Sequence, residues 1–485
     1  MKFSIYGRRK FARPQDKAHD MTEFIPENRV QQGKLPDDHD LFVTVRRHAW
    51  KATALAVAVL ASACGTTPAS APASPGINPS TPAGAETFKA NILAFGDTGY
   101  DYDWLEADDY EDPLDARTYI VGELDDWIED NMPIQEFRLS PFHFAEQTGG
   151  WVPASGMWPV ARAIQDWCAS PDRCDFGVML GDNIYPSGAT VGADGRDDAA
   201  RFDDLMNKPY IGLQEQDEDF VIYPVMGNHD WETSREGAEA QLAYLQASPL
   251  YRMDGFWWKS EPVPGVEVFG IDTTLLLSAF EEPEYAFADD GTPVHTGEID
   301  EADPWTVPRG AERDQVAWLA KALAESDAHW KIVIAHHPLW SGSGGKYEQA
   351  KVLREQLYPA LCRYADMFLA GHEHTLEVHM DDCRDGLGQP DDRPLMTLVS
   401  GAAGKQRALH STFMDYLDRT YPQKETLYAR GQVWGFATLE LGEDEAEVTL
   451  LAIPDDGSSA IDEVFTHRFK RRSGRDAGAL TQASP

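Results

Sequence analysis

Positive charge is what this sequence most lacks: 42 Lys and Arg stand against 81 Asp and Glu, a formal net charge of -39, and only 15 of the basic residues are Lys. A basic face that would hold nucleic acid or another polyanion is therefore excluded. Cysteine is scarce too, with five in 485 residues and no CxxC pair, so the fold is not a disulfide-built miniprotein. Long apolar runs are missing. The one extended run is ATALAVAVLASA at 52–63, whose 12 residues are too few to span a bilayer. No internal repeat is present.

What is there suits a folded, well-solvated body. Apolar residues make up 42% of the chain and aromatics 11%, with 14 Trp, which is too rich for a disordered acidic tail. The chain is long enough for one large domain or two ordinary ones. The apolar run follows Arg46, Arg47 and Lys51 and ends at Cys64, which is the layout of an export signal. Ala61, Ser62 and Ala63 before Cys64 resemble a bacterial lipoprotein signal, with Cys64 lipidated as a membrane anchor, although that pattern usually has Leu at the position of Ala61. The Arg46-Arg47 pair also faintly resembles a twin-arginine signal. Residues 1–42 are polar and without periodicity, as expected of a non-native or disordered extension ahead of a misplaced start. The signal then covers 43–64, and the Pro, Ala, Ser and Thr of 65–87 read as a tether. The expected location is periplasmic or cell-surface, on the outer membrane if the lipid anchor is used.

The other four cysteines fit an oxidising compartment. Pairing Cys168 with Cys174 and Cys362 with Cys383 is the simplest of the three connectivities, with zinc binding as the rival reading. Along the body, short apolar runs alternate with amphipathic stretches: NILAFGD, the helical MWPVARAIQDW, FGVMLGD, FVIYPVMGNHD, the helical AERDQVAWLAKALAES, WKIVIAH, the helical VLREQLYPALCRY, and MFLAGHEH. The closing segments LMTLVSGA, WGFATLELG and AEVTLLAIP read as neighbouring strands in hairpins. The expectation is an α/β fold, a two-sheet β-sandwich flanked by helices, over residues 88–470, with a frayed tail at 471–485.

Five strand-to-loop junctions present O and N donors, in order: Asp97-Thr98-Gly99, Gly181-Asp182-Asn183-Ile184-Tyr185, Gly227-Asn228-His229-Asp230, Val333-Ile334-Ala335-His336 and Gly371-His372-Glu373-His374. An α/β fold builds its site at such strand ends, and glycines let the loops turn closely around a bound group. In that order they resemble the DxG, GDxxY, GNH, VxxH and GHxH signature of the calcineurin-like metallophosphoesterases. Tyr185 narrows the resemblance to purple acid phosphatases, closest to the small tartrate-resistant, mammalian-type branch. The flanking GNHDW, HHPLW, SGAAGK and GFATLEL blocks match as well.

The resemblance implies the four-layer αββα fold with two metal ions at strand-end loops. The first, Fe(III), would take Asp97, Asp182, Tyr185 and His374; the second, a divalent Fe, Zn or Mn, would take Asp182, Asn228, His336 and His372. It implies hydrolysis of a small phosphate monoester by a metal-bound hydroxide, with Asn228 and His229 contacting the phosphate and His229 as the catalytic acid. A phosphodiesterase or nucleotidase on the same scaffold is the alternative, and a non-catalytic surface-binding lipoprotein a more distant one. A monomer that binds no nucleic acid is expected. Two departures stand out. The family's further His after VxxH is absent from SGSGGKYEQ, leaving Lys346 as the replacement phosphate contact, while His337 reads as a second group like His229 or as a packed loop residue. Asp97 and Asp182 are 85 positions apart, and 101–136 holds 14 acidic residues against one basic, within an acidic, aromatic insertion at 101–160. That segment reads as an acidic surface excursion anchored by its aromatics, or as a lid.

Overall fold

The computed structural model describes residues 88–105, 115–170, 173–192 and 197–472. The expected extension, signal, Cys64 and tether, and all but the first two residues of the tail, lie outside the described residues. Two sheets carry the fold. The six-stranded one runs Asp462–Lys470, Glu445–Ile453, Trp434–Leu441, Ala90–Phe95, Phe176–Met179, Ile222–Pro224. The seven-stranded one runs Lys424–Arg430, Leu376–Asp381, Leu395–Ser400, Met367–Ala370, Trp330–Ile334, Val266–Gly270, Trp258–Val263.

The centre of each sheet is parallel. Ala90–Phe95, Phe176–Met179 and Ile222–Pro224 run together in one, and Val266–Gly270, Trp330–Ile334, Met367–Ala370 and Leu395–Ser400 in the other. Parallel strands covered on both faces need continuous apolar sequence, which is why these segments are so uniformly hydrophobic. Alternation still sorts their side chains. Val268, Ile332, Ile334 and Leu369 join the large core shared with the other sheet, while Phe269, Val333 and Phe368 face Leu319, Leu323, Leu353, Leu357 and Leu361. Those leucines come from helices Gln315–Glu325 and Tyr347–Tyr364. On the six-stranded side, helix Met157–Cys168 buries Met157, Val160 and Ile164 against Trp434–Leu441 and its neighbour. This is the expected two-sheet sandwich flanked by helices.

One pairing differs from expectation. WGFATLELG and AEVTLLAIP form the expected hairpin, but LMTLVSGA lies in the other sheet, parallel to Met367–Ala370. Both cysteine pairs are joined, Cys168 to Cys174 and Cys362 to Cys383. In the acidic stretch, helix Ala116–Glu129 packs its Tyr119 on Phe142 and its Trp127 on Phe137, next to a hairpin of Phe142–Ala145 with Gly150–Pro153. Its described tryptophans are committed to protein contacts: Trp104 Nε1 donates to Asp204 at 3.1 Å and Trp127 Nε1 to Pro133 O at 3.1 Å.

Candidate metal centre

Every parallel strand delivers its C-terminal end to the same edge of the sandwich. Phe95 leads to Asp97, Met179 to Asp182, Pro224 to Asn228, Ile334 to His336 and Ala370 to His372. Three of these residues adopt a left-handed backbone that side chains other than glycine rarely take: Asp97 at φ 56°, Asp182 at φ 49° and His372 at φ 67°. Cross-loop hydrogen bonds hold them. Asp97 N donates to Gly181 O at 2.9 Å, and His372 N donates to Asp97 Oδ2 at 2.8 Å. His229 N donates to Asp182 Oδ1 at 3.0 Å. Glycine is required where loops touch: a methyl group on Gly227 would strike the Asp182 carboxylate, and one on Gly371 the Asp97 carboxylate.

The side chains converge on two foci that share Asp182. Donor atoms of Asp97, Asp182 and His374 lie within 4.8 Å of one another, and so do those of Asp182, His336 and His372. Tyr185 enters the first set, its phenol oxygen 3.2 Å from Asp97 Oδ1, 2.8 Å from Asp182 Oδ2 and 3.3 Å from His374 Nε2. Asn228 enters the second, its Oδ1 3.2 Å from His336 Nε2, which lies 2.9 Å from His372 Nδ1. His336 is oriented by its other nitrogen, which donates to Leu180 O at 2.8 Å. All seven predicted ligands are thus brought together.

Burial of these donors together sets their electrostatics. Burial, aided by the neighbouring Asp182, pushes the Asp97 carboxyl up to about 8, although His336 pulls the other way. Asp182 is equally buried, yet His336 and His229 outweigh that burial and hold it well below the usual range. Burial and nearby positive charges push His372 and His374 well down, so both offer lone pairs. His372 Nε2 is buried with no hydrogen-bond partner. Carboxylate, phenol, amide and imidazole donors on two adjacent foci fit a pair of metal ions.

His229 leans on this cluster, its ring 4.4 Å from that of Tyr185. Its Nδ1 donates to Pro186 O at 2.6 Å and lies 2.7 Å from Glu232 Oε2, while Nε2 is 4.0 Å from Asp182 Oδ2. Burial disfavours its charge, but Asp182 and Glu232 override that and raise it to about 9. Lys346 precedes helix Tyr347–Tyr364, and its charge is felt at His337 and His372.

Over residues 90–376 the sequence matches the calcineurin-like phosphoesterase family. The chain belongs to that family. Among relatives of this chain, purple acid phosphatase 17 of Arabidopsis thaliana is 33% identical over 236 residues, covering 48% of this chain and 59% of that one. Purple acid phosphatase 4 of the same plant is 29% identical, covering 56% and 69%. Tartrate-resistant acid phosphatase type 5 of Oryctolagus cuniculus is 25% identical, covering 57% and 75%. The chain thus spans 59% of the length of the first of these relatives.

Some of the site escaped the sequence reading. Lys405 is buried, with its ammonium 4.7 Å from the centre of the Tyr185 ring and 5.1 Å from that of Tyr100. Only its place in the SGAAGK block hinted at it. Asp230, next to His229, accepts from Gly227 N, Asn183 N, Ile184 N and Gln241 Nε2 and ties two of the loops together. Arg407 pairs with buried Glu373, the residue between His372 and His374.

Proposed function

We propose that this chain is a dinuclear, metal-dependent phosphatase of the purple acid phosphatase kind, acting on small phosphate monoesters. One observation carries the reading: the Tyr185 phenol sits inside the Asp97, Asp182 and His374 donor set. Carboxylate and phenolate oxygens suit a hard trivalent ion, so Asp97, Asp182, Tyr185 and His374 would hold Fe(III). Asp182, Asn228, His336 and His372 would hold a divalent Fe, Zn or Mn. When bound, such a pair supplies positive charge for the phosphoryl oxygens and acidifies a water to a nucleophile near neutral pH.

The chain's own residues do the rest. Asn228 turns its Oδ1 toward His336, which leaves its Nδ2 to donate to a phosphoryl oxygen. His229, pinned through Nδ1, keeps Nε2 on the site side, where its proton serves the leaving alkoxide. Lys405 adds a fixed cation behind Tyr185.

Metal analysis with an absorption spectrum tests this reading. Two metals per chain and a visible phenolate-to-iron band lost in Tyr185→Phe are expected; a colourless enzyme loaded with zinc alone would overturn the iron assignment. Comparing nitrophenyl phosphate with its bis-ester separates monoester from diester chemistry, and strong preference for the diester would reject the monoesterase reading. The two disulfides support export, since such bonds persist in oxidising compartments. Mass spectrometry of the mature protein would find a lipid-modified Cys64 at its start if the anchor is used. Among the described residues no helix is long and apolar enough to cross a membrane.

A further inference from the structure

A cavity of about 230 Å³ opens beside the metal centre, with Asn228 and His337 in its wall. The charged part of that wall has one sign. Glu232, Glu282, Asp300, Glu301 and Asp303 line it, and no Lys or Arg does. Most of these carboxylates come from the hairpin of Glu282–Phe287 with Pro293–Asp300 and the loop after it, an element the metal-ligand pattern does not include. They crowd one another. Burial first, then Glu232 and Asp300, hold the Asp303 carboxyl above its usual range. Burial, with Asp300 among the charges, does the same to Glu282, although Gln349 and Lys346 pull the other way.

A second feature points into the same space. His337 is 3% exposed, and its Nδ1 is 2.8 Å from Thr273 Oγ1. That hydroxyl also accepts from His337 N at 3.1 Å, so Thr273 fixes the ring through Nδ1 and leaves Nε2 toward the cavity. Nε2 has no hydrogen-bond partner among the described residues. An uncommitted ring nitrogen is therefore left for a ligand where the acidic wall meets the metal centre. The wall is not itself a third metal site: among the described residues only the two sets at the centre bring three donors within 4.8 Å of one another. Carboxylates spread around the cavity suit a larger, softer cation, such as an alkylated ammonium, better than a small metal ion.

We propose that this cavity receives the leaving group of the substrate and that this group is cationic, so that the preferred substrates are phosphate monoesters of amino alcohols. The phosphate end of this assignment rests on the phosphatase reading above; the ammonium end rests on the cavity. A dianionic ester with a neutral tail meets five carboxylates on its way to the metals. A zwitterionic ester meets them with an opposing charge at close range, an attraction that salt screens because Asp300, Glu301 and Asp303 are exposed. His337 Nε2 then meets the ester at the junction of its two charges.

The test compares phosphocholine with 3,3-dimethylbutyl phosphate, its uncharged isostere, as a ratio of kcat/KM in the metal-loaded protein and in an Asp300→Asn, Glu301→Gln, Asp303→Asn triple variant. All three positions are exposed and outside the metal donors. The expected ratio is about tenfold or more in favour of phosphocholine at low salt, carried by KM. It falls toward one in the triple variant and in 0.5 M NaCl. Taking a ratio cancels any loss common to both esters. A ratio of one in the unaltered protein, or a ratio the triple variant leaves unchanged, would overturn the proposal while nitrophenyl phosphate turnover still upheld the phosphatase reading. If no monoester is hydrolysed, that reading fails, and the cavity is judged by calorimetry with choline alone. Binding heat lost in the triple variant supports an ammonium site, and absence of heat rejects it.

Discussion

Asp230 holds no place in the metal-ligand pattern, yet the pattern depends on it. Its buried carboxylate gathers donors from both the Asp182 loop and the Asn228 loop, and burial together with Asp182 pushes it up to about 6. Asp230→Asn keeps the volume but sets an amide hydrogen against those donors. The expected result is a loss of about 2–4 kcal/mol in urea unfolding, together with weaker metal retention in a chelator titration. Asp272 offers a pH test away from the ligands. It accepts from Trp231 Nε1 and Leu275 N, both at 2.9 Å, and burial pushes it up to about 7. Since its folded value lies above the unfolded one, the folded state binds the extra proton, and stability falls as pH rises from about 4 to 7. Asp272→Asn removes that falling contribution, so the slope of its unfolding free energy with pH over that window should be more positive than the unaltered protein's, by up to about 1.4 kcal/mol per pH unit. The clustered donors were legible because their particular side chains recur in order at strand ends. Asp230 was not, because its role is set by donors as far as 47 positions away.

The elements most easily read were the central strands and the amphipathic helices. Ala90–Phe95, Trp330–Ile334 and Met367–Ala370 are apolar throughout because both faces are covered, and helix Gln315–Glu325 shows its apolar stripe openly. Edge segments were not read. Asp462–Lys470 and the hairpin of Glu282–Phe287 with Pro293–Asp300 carry charges along half-solvated faces and look like loops. Leu395–Ser400 was recognised as a strand but given the wrong neighbours, since a strand buried along its whole length carries no mark of its partner. The Cys362–Cys383 bond ties the end of helix Tyr347–Tyr364 to the chain just after strand Leu376–Asp381. Replacing both with Ala should lower the unfolding free energy by about 3 kcal/mol in a denaturant titration.

Across the whole chain the charge is unevenly divided. Residues 1–64 carry a net of +4, so the remainder carries -43. Such a body repels itself, and screening should relieve it: the thermal midpoint is expected to rise by a few degrees between 0.02 and 0.3 M NaCl, measured by circular dichroism. A midpoint that falls with salt would mean that ion pairs outweigh the repulsion. The acidity thus bears on solubility and on what approaches the centre, while the residues proposed to carry the chemistry are few and sit at strand ends.

The bond from His372 N to Asp97 Oδ2 joins residues 275 positions apart and links the two sheets. Contacts of such long range close late in folding, because most of the intervening chain must already be in place. Neither donor set therefore exists in a nascent or half-folded chain. Metal capture becomes a proofreading step: a chain that takes up its ions has already put both sheets together, and one that has stalled presents only scattered, weakly chelating side chains.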